Sequence, residues 1–284
     1  MAQFTNQAQL SYNGTTVNSN VVVGEILEVV SADKTAIVDT YAADGTVSYA
    51  VSIVNTGSTA ITNLTVTDDL GAYEQGAQTL TPLTYVDGSV RLFINGTLQP
   101  APIVTADPAL TLSGITLPAG GDAVIVYSAN VNGFAPLGTD GSIVNTATVT
   151  GNGIPAPIDV SATVTPVEGP QLRITKGIEP VPVAENGTLT YRFVIENFGN
   201  VDAVATDNVV LSDLFDPALS NLAVSFNGVA WTEGVQYNYN EATGQLTTVP
   251  SQITVPAATY TQDAATGTWI TTPGTAVLTV SGTV

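Results

Sequence analysis

Apolar and polar positions alternate with a period of two along most of the chain. The clearest stretch is Thr46-Val47-Ser48-Tyr49-Ala50-Val51-Ser52-Ile53-Val54. Leu64-Thr65-Val66, Val90-Arg91-Leu92-Phe93-Ile94, Ala123-Val124-Ile125-Val126-Tyr127 and Ala147-Thr148-Val149 repeat it. Such alternation turns one side of a strand to a core and the other to water. Turn signals fall between these runs: Asp44-Gly45, Asn55-Thr56-Gly57, Asp87-Gly88, Asn95-Gly96 and Pro118-Ala119-Gly120-Gly121. No window carries a helical stripe. The pattern predicts an all-β sandwich fold.

The pattern occurs twice. With Lys34 set against Lys176, Gly45–Tyr49 falls on Gly187–Tyr191, Asn55 on Asn197 and Gly57 on Gly199, without a gap. After a three-residue insertion, Asn63–Asp68 falls on Asn208–Asp213. Leu92–Gly96 resembles Val224–Gly228, Ile115–Ala119 resembles Ile253–Ala257, and Ala123–Ser128 resembles Ala276–Ser281. The first copy then continues through Ser142–Thr150 and Val160–Val164, for which the second copy has no equivalent. The equivalent stands at the other end of the chain. Phe4–Gly14 resembles Ile143–Gly153, and Ser19–Val23 resembles Ser161–Thr165. The repeat is therefore circularly permuted. The expected organisation is a donor strand or hairpin over residues 1–26, a first sandwich over 27–168, and a second over 169–284 that lacks its last strand or strands.

A sandwich without its last strand has an open edge and an apolar slot, and the unpaired backbone groups there template another strand. The expected filler is the N-terminal segment, with Phe4, Asn6, Ala8, Leu10 and Tyr12 as the donor positions. Geometry favours another molecule as its source. Tandem sandwiches usually run end to end at roughly 40 Å each, so the ~80 Å extended reach of residues 1–25 leaves little chain for pairing with the same molecule's second copy. Head-to-tail donation between identical subunits grows an open filament unless it closes into a ring. The alternatives are self-closure, an N-terminal strand added to the first sandwich, or a fragment of a longer repeat array.

Composition narrows the chemistry. Of 284 residues, 44% are hydrophobic and 10% charged, and there is neither Cys nor His. Disulfides, thiolate nucleophiles, imidazole bases and Cys or His metal ligands are excluded. Five Lys and Arg against 24 Asp and Glu give a net charge of −19. Such a surface repels nucleic acid and anionic lipid, so neither is expected as a partner. The opening Met-Ala-Gln-Phe-Thr-Asn-Gln lacks the basic and apolar regions of a secretory signal, the ending Val-Ser-Gly-Thr-Val lacks a sortase-type signal, and no apolar run is long enough for a spanning helix.

Several segments together resemble the bacterial surface-protein conserved repeat domain, also called domain of unknown function eleven. They are Leu172–Lys176, Gly187–Tyr191, Asn197-Phe198-Gly199-Asn200, Leu211-Ser212-Asp213 and the terminal strand Asn145-Thr146-Ala147-Thr148-Val149. The resemblance covers residues 28–284. In the second copy Asn6–Leu10 restores the missing terminal strand. The resemblance implies an Ig-like sandwich in stalks, envelopes and fibres, and not an enzyme. The whole chain also looks like short clostridial proteins of this type. A spore appendage, assembled in the mother cell and released on lysis, reconciles a surface fibre with the missing secretory signal.

The resemblance also directs attention to Lys34, Asp68 and Asn145, which lie on a first, a middle and a last strand. Lys176 and Asp213 repeat the first two, and Asn6 supplies the third from the donated strand. Related Ig-like adhesin domains join such a Lys and Asn by an isopeptide bond. Burial makes the amine neutral and a protonated carboxyl polarises the amide. The other readings are a buried hydrogen-bonded Lys-Asp-Asn network, or a solvated Lys, a turn-capping Asp and a turn Asn without special role. In the second copy an isopeptide bond would join two subunits.

Other candidates are weaker. Asp68-Asp69 resembles a carboxylate pair, but no clustered oxygen-ligand loop for calcium accompanies it, and two acids on one strand end make no glycosidase cleft. Trp231, Tyr237, Tyr239, Tyr260 and Trp269 could form a sugar-binding face, although strand aromatics more often serve the core. The reading is thus a structural subunit of an extracellular or endospore-surface filament, with no catalytic residues, metal or cofactor. Its partner is an identical subunit, with a separate anchor or tip protein as a further candidate. The alternative is a monomeric surface spacer or adhesin module.

Overall fold

The computed structural model describes residues 2–26 and 29–284. Among the described residues the fold is all-β apart from one 3-10 turn at Ala205–Asp207. It divides into two compact units. Unit 1 comprises the residues up to Ala135 with Ser142–Val164, and unit 2 comprises Pro136–Gly141 with Thr165–Val284.

The N-terminal segment is a long hairpin of β1 (Ala2–Asn6), β2 (Gln9–Tyr12), β3 (Thr15–Asn18) and β4 (Val22–Ile26). β1 pairs with β4 and β2 with β3. Asn13 and Gly14, at φ 44° and 78°, make the tip. Both central residues take the left-handed conformation that fits the twist of the flanking strands. Asn6 sits opposite Val22 and Gln9 opposite Asn18, so the second arm gains one residue between them. Hydrophobic side chains on this hairpin stand exposed: Phe4, Leu10, Tyr12, Val17, Val21, Val22 and Val23.

Unit 1 continues with β5 (Val30–Ala36), β6 (Thr40–Tyr41), β7 (Thr46–Asn55), β8 (Ile61–Asp68), β9 (Tyr73–Gln75) and β10 (Gln78–Leu80). Next come β11 (Leu83–Tyr85), β12 (Arg91–Ile94), β13 (Thr97–Gln99), β14 (Ile103–Ala106) and β15 (Leu110–Leu117). It ends with β16 (Asp122–Val131), β17 (Ile143–Asn152) and β18 (Ile158–Pro166). One sheet runs β13-β12-β16-β7-β5, with β11 also on β16, and the other runs β14-β15-β8-β17-β18-β6. The alternation of β7, buried at Val47, Tyr49, Val51 and Ile53, is the period-two pattern turned into a core face. Leu64, Val66, Leu112, Ala147 and Val149 face it from the other sheet.

Unit 2 holds β19 (Leu172–Glu179), β20 (Thr188–Asn197), β21 (Ser212–Leu214), β22 (Ser220–Phe226) and β23 (Val229–Trp231). It closes with β24 (Tyr237–Asn240), β25 (Gln245–Thr248), β26 (Thr259–Gln262), β27 (Trp269–Thr272) and β28 (Gly274–Thr283). Its first sheet is β19-β20-β28-β22-β23, and its second is only β21-β25-β24. Phe193, Ile195, Phe215, Leu246 and Leu278 are among its core residues.

The repeat holds at atomic detail. Asn55 and Asn197 are both fully buried, and each accepts from the backbone of the glycine two residues on, Gly57 (3.0 Å) or Gly199 (2.9 Å). Each also donates to a carbonyl four residues ahead, Thr59 or Val201. Asn95-Gly96 and Asn227-Gly228 make the same left-handed turns, and both asparagines cap the facing strand, at Asp122 (2.9 Å) and Val277 (2.8 Å). Asn63 and Asn208 share a left-handed φ, 51° and 53°. One sequence alignment shifts. Asn145 pairs with Ala162 and Asn6 with Val22, so Val22, not Asn20, occupies the place of Ala162. The extra residue in the second arm accounts for one of the two positions of this shift.

Candidate functional site

Lys34, Asp68 and Asn145 come together in unit 1. β5 lies at the edge of one sheet and points Lys34 across the core to Asp68, the last residue of β8 in the other. Lys34 Nζ donates to Asp68 Oδ2 at 2.6 Å, and the two side chains are 0% and 1% exposed. The backbone N–H of Leu70 donates to Asp68 Oδ1 at 3.0 Å. Tyr127, reaching in from β16, donates its hydroxyl to Asp68 Oδ2 in a short hydrogen bond. Asn145 on β17 donates from Nδ2 to Tyr127 Oη at 3.1 Å, and its Oδ1 accepts from the Gly71 N–H at 3.2 Å. The result is a water-poor chain of amine, carboxylate, phenol and carboxamide.

The backbone around it is shaped to fit. Leu70 and Gly71 have φ of 55° and 74°, which curls the N–H groups after β8 back onto Asp68 and Asn145. A side chain on Gly71 would meet Ile143 Cγ2 at 2.5 Å. Asp69 accepts from the N–H groups of Gly71 (2.8 Å) and Thr146 (2.9 Å), which pins β17 beside the loop. Both carboxylates of Asp68-Asp69 are therefore engaged by protein donors. Among the described residues no group of three or more acids is placed to hold a metal ion.

Burial sets the electrostatics. It pulls the Lys34 ammonium below its ordinary pKa, and the nearby Asp68 charge only partly opposes this. It pushes the Tyr127 phenol well up, and Asp68 adds to the effect. Tyr49 moves the same way, with its ring stacked on Tyr127 at 5.6 Å and lying 5.0 Å from Lys34 Nζ.

Unit 2 repeats the pair but not its surroundings. Lys176 Nζ on β19 forms a short hydrogen bond with Asp213 Oδ2 on β21. These side chains are 39% and 19% exposed. Lys176 is ringed by Tyr191, Phe215 and Phe193 at 4.4, 5.3 and 5.4 Å to the ring centroids. Where unit 1 sets Tyr127 opposite Tyr49, unit 2 sets Val280 opposite Tyr191. Phe215 stacks on Tyr191 at 4.9 Å instead.

The exposure has a structural source. β8 is flanked by β15 and β17, whereas β21 pairs with β25 and has no strand on its other side among the described residues. Beside that edge lies an apolar groove of about 320 Å³, lined by Leu172, Ile174, Ile195, Val209, Val210 and Leu211. Ile174 and Val210 are exposed along it. In the second sheet of unit 1, the strands without a counterpart in unit 2 are β17, β18 and β6. Asn6, the third member expected for this site, stands exposed on β1 opposite Val22. Phe4, Ala8, Leu10 and Tyr12 are exposed with it.

The sequence pattern did not single out Tyr127, Tyr49, Gly71 or Phe215. A signal for the first was present. In the alignment of Ala123–Ser128 with Ala276–Ser281, Tyr127 falls on Val280, a buried hydroxyl in one copy against none in the other. The aromatics of unit 2 do not form one face. Tyr237 is core, Trp231 stacks on Phe226 at 5.1 Å, Tyr239 holds the Leu219 backbone, and Tyr260 and Trp269 belong to the β26–β27 hairpin.

No family model and no curated protein sequence matches the chain. The resemblance to the conserved repeat domain therefore rests on the motifs quoted for it. Among solved structures, the chain is similar to the major pilin subunit of Bacillus cereus, at 13% identity and a TM-score of 0.39 over 68% of this chain and 66% of that one. It is similar to the pilus backbone protein of Streptococcus pneumoniae at 14% and 0.35, over 86% of this chain and 55% of that one. A family 123 glycoside hydrolase from Clostridium perfringens follows at 9% and 0.31, over 49% and 28%. The chain spans two thirds or less of each. Pilins and a hydrolase stand side by side at these scores, so function is argued from the residues of the chain itself.

Proposed function

We propose that the protein is the structural subunit of an extracellular filament, built head to tail by donation of the N-terminal segment of one molecule to unit 2 of the next. One observation carries this reading. The second sheet of unit 2 stops at β21, where unit 1 continues into β17 and β18, and residues 4–14 resemble β17 without a gap. Leu10 and its neighbours lie exposed on the donor, and Ile174 and Val210 lie exposed at the acceptor. Bringing them together removes apolar area from water at roughly 25 cal/mol per Å². It also pairs the free edge of β21. The donor Asn6 would then complete Lys176 and Asp213 as Asn145 completes Lys34 and Asp68. A spore surface is the location that the sequence resemblance suggests for such a fibre.

The same trio supports a covalent joint. A neutral lysine Nζ adds to the asparagine Cγ, the Cγ–Nδ2 bond breaks, and ammonia leaves with the proton taken from Nζ. One amide replaces one amine and one carboxamide, with no oxidant or reductant. The aspartic carboxyl polarises the carbonyl during the addition.

Negative-stain imaging beside boiled SDS gels of the full-length protein tests both statements. Filaments that need residues 2–24 are expected, and a monomer that forms none under any condition would overturn donation and favour a surface spacer. A boiling-resistant ladder, with the mass of one ammonia lost per bond, is expected for the covalent joint. Filaments that boil to monomer at full mass would leave a non-covalent joint.

A further inference from the structure

We infer that the donated element is the whole two-stranded hairpin, seated with Ala8 opposite Asp213. This rests on the donation proposed above and adds its register and its second strand. Three observations lead to it.

The first is pairing. In unit 1 the acceptor strand β8 meets β17, and β17 meets β18 in turn. The hairpin already has that second ladder: Asn6 pairs with Val22 as Asn145 pairs with Ala162. A single donated strand would have to shed β3 and β4 and leave their backbone groups unpaired. The intact hairpin needs no such opening, because among the described strands β1 and β2 each pair on one side only.

The second is register. Asp68 faces Leu110 on one side and Ala147 on the other. Asp213 faces Leu246, the counterpart of Leu110, and among the described strands none pairs on its other side. Residues 4–14 match 143–153 without a gap, so Ala8 takes the place of Ala147. Gln9 then faces Ser212, Leu10 faces Leu211 and Ser11 faces Val210. Phe4, Asn6, Ala8 and Leu10 turn inward, where Ile143, Asn145, Ala147 and Val149 are buried.

The third is matched volume across the two arms. The ring of Phe4 covers Gly24, where a Cβ would meet it at 2.3 Å. In unit 1 the equivalent pair is Ile143 with Val164. Large-with-none has replaced medium-with-medium, a volume exchange that packs only if both arms enter together. Charge agrees with the acceptor. Residues 2–24 contain no charged side chain in a chain of net charge −19, and Arg173 and Lys176 stand on β19 beside the slot. Two acidic molecules can thus meet through their least repulsive parts.

The absence of cysteine makes the test direct. Gln9→Cys with Ser212→Cys in the full-length protein, oxidised during assembly, is expected to give a reducible ladder whose linked peptides join positions 9 and 212. Gln9→Cys with Val210→Cys, two residues out of register, is expected to give none. Gly24→Leu is expected to cut filament yield at least about tenfold, a loss on the scale of one repacked contact. Phe4→Ala in the same chain is expected to restore it. If the 9–212 ladder forms while Gly24→Leu and Val22→Pro assemble like the parent, a single strand is donated and the hairpin is overturned. A ladder from the 9–210 pair alone overturns the register. If the parent itself forms no filament and the 9–212 bond appears only within monomers, donation between molecules falls instead.

Discussion

Units 1 and 2 carry the same lysine–aspartate pair in two different solvents. Lys34 and Asp68 are sealed between two complete sheets, with Tyr127 and Asn145 closing the chain of hydrogen bonds. Lys176 and Asp213 touch water, with aromatic rings on one side and an open sheet edge on the other. The difference teaches what the last two strands do. They finish a sheet, and they also convert a surface ion pair into a buried one. Attraction between the charges strengthens as water leaves, but so does the desolvation penalty, which extra hydrogen bonds must offset. Unit 1 supplies those bonds from its own chain.

The sharpest way to break the comparison is to remove the acid from each. Asp68→Ala leaves Lys34 buried without its partner and is expected to cost unit 1 about 3–5 kcal/mol. Asp213→Ala in unassembled protein is expected to cost unit 2 under about 1 kcal/mol, as for an exposed pair. Denaturant melts followed by a probe in each unit would read the two values. Equal losses would mean that burial does not separate the sites.

Tyr127→Phe removes the hydroxyl that bonds both Asp68 and Asn145, and a loss of about 1.5–3 kcal/mol is expected in unit 1, the range for a hydrogen bond to a charged group. Unit 2 already has Val280 at that position and should not respond. Chemical denaturation of the single variant checks this. A neutral result would place the weight of the cluster on Lys34 and Asp68 alone.

Alkaline titration sharpens the contrast further. Burial holds the phenols of Tyr41, Tyr49 and Tyr127 above the ordinary tyrosine pKa. Above about pH 10 the unfolded chain has released these protons while folded unit 1 keeps them, so stability falls as pH rises. Lys34 acts in the opposite sense. Its lowered folded pKa means that folded unit 1 binds fewer protons than the unfolded chain below about pH 10.5, so its contribution grows with pH up to that point. The expected profile for unit 1 rises toward about pH 10 through Lys34 and then drops as the unfolded phenols ionise. Burial also raises Tyr237 and Tyr260 in unit 2, so unit 2 should fall too, but less. Tyrosinate absorbance recorded against unfolding would separate the two.

Much of this is legible in the sequence. Period-two alternation gave the strands, because a strand half in a core must alternate. Turn residues with fixed conformational demands, Asn55 and Gly57 against Asn197 and Gly199, tied the copies together. Lys34 and Lys176 stood out because basic residues are so few. What escaped was the cross-sheet geometry. That Tyr127 bridges Asp68 and Asn145 depends on which residues face each other between sheets, and alternation within a strand says nothing of that. The pairing of the hairpin's second arm escaped for a related reason. Val21, Val22 and Val23 are apolar in a row, so alternation does not fix which of them meets Asn6.

The smallest expected effect probes where the units agree. Asn95-Gly96 and Asn227-Gly228 make equivalent hairpin tips, with glycine φ of 73° and 80°. A Cβ at either glycine would meet nothing within 4 Å, so no clash enters. Only the left-handed backbone penalises a side chain there, at roughly 1 kcal/mol per residue. Gly96→Ala and Gly228→Ala should therefore lower the stability of their own units by the same small amount, measured as the shift in each denaturation midpoint. Matching shifts would show that the turns are one device used twice. A markedly larger loss at Gly228 would mean that the open sheet edge weakens unit 2 as far as its opposite sheet.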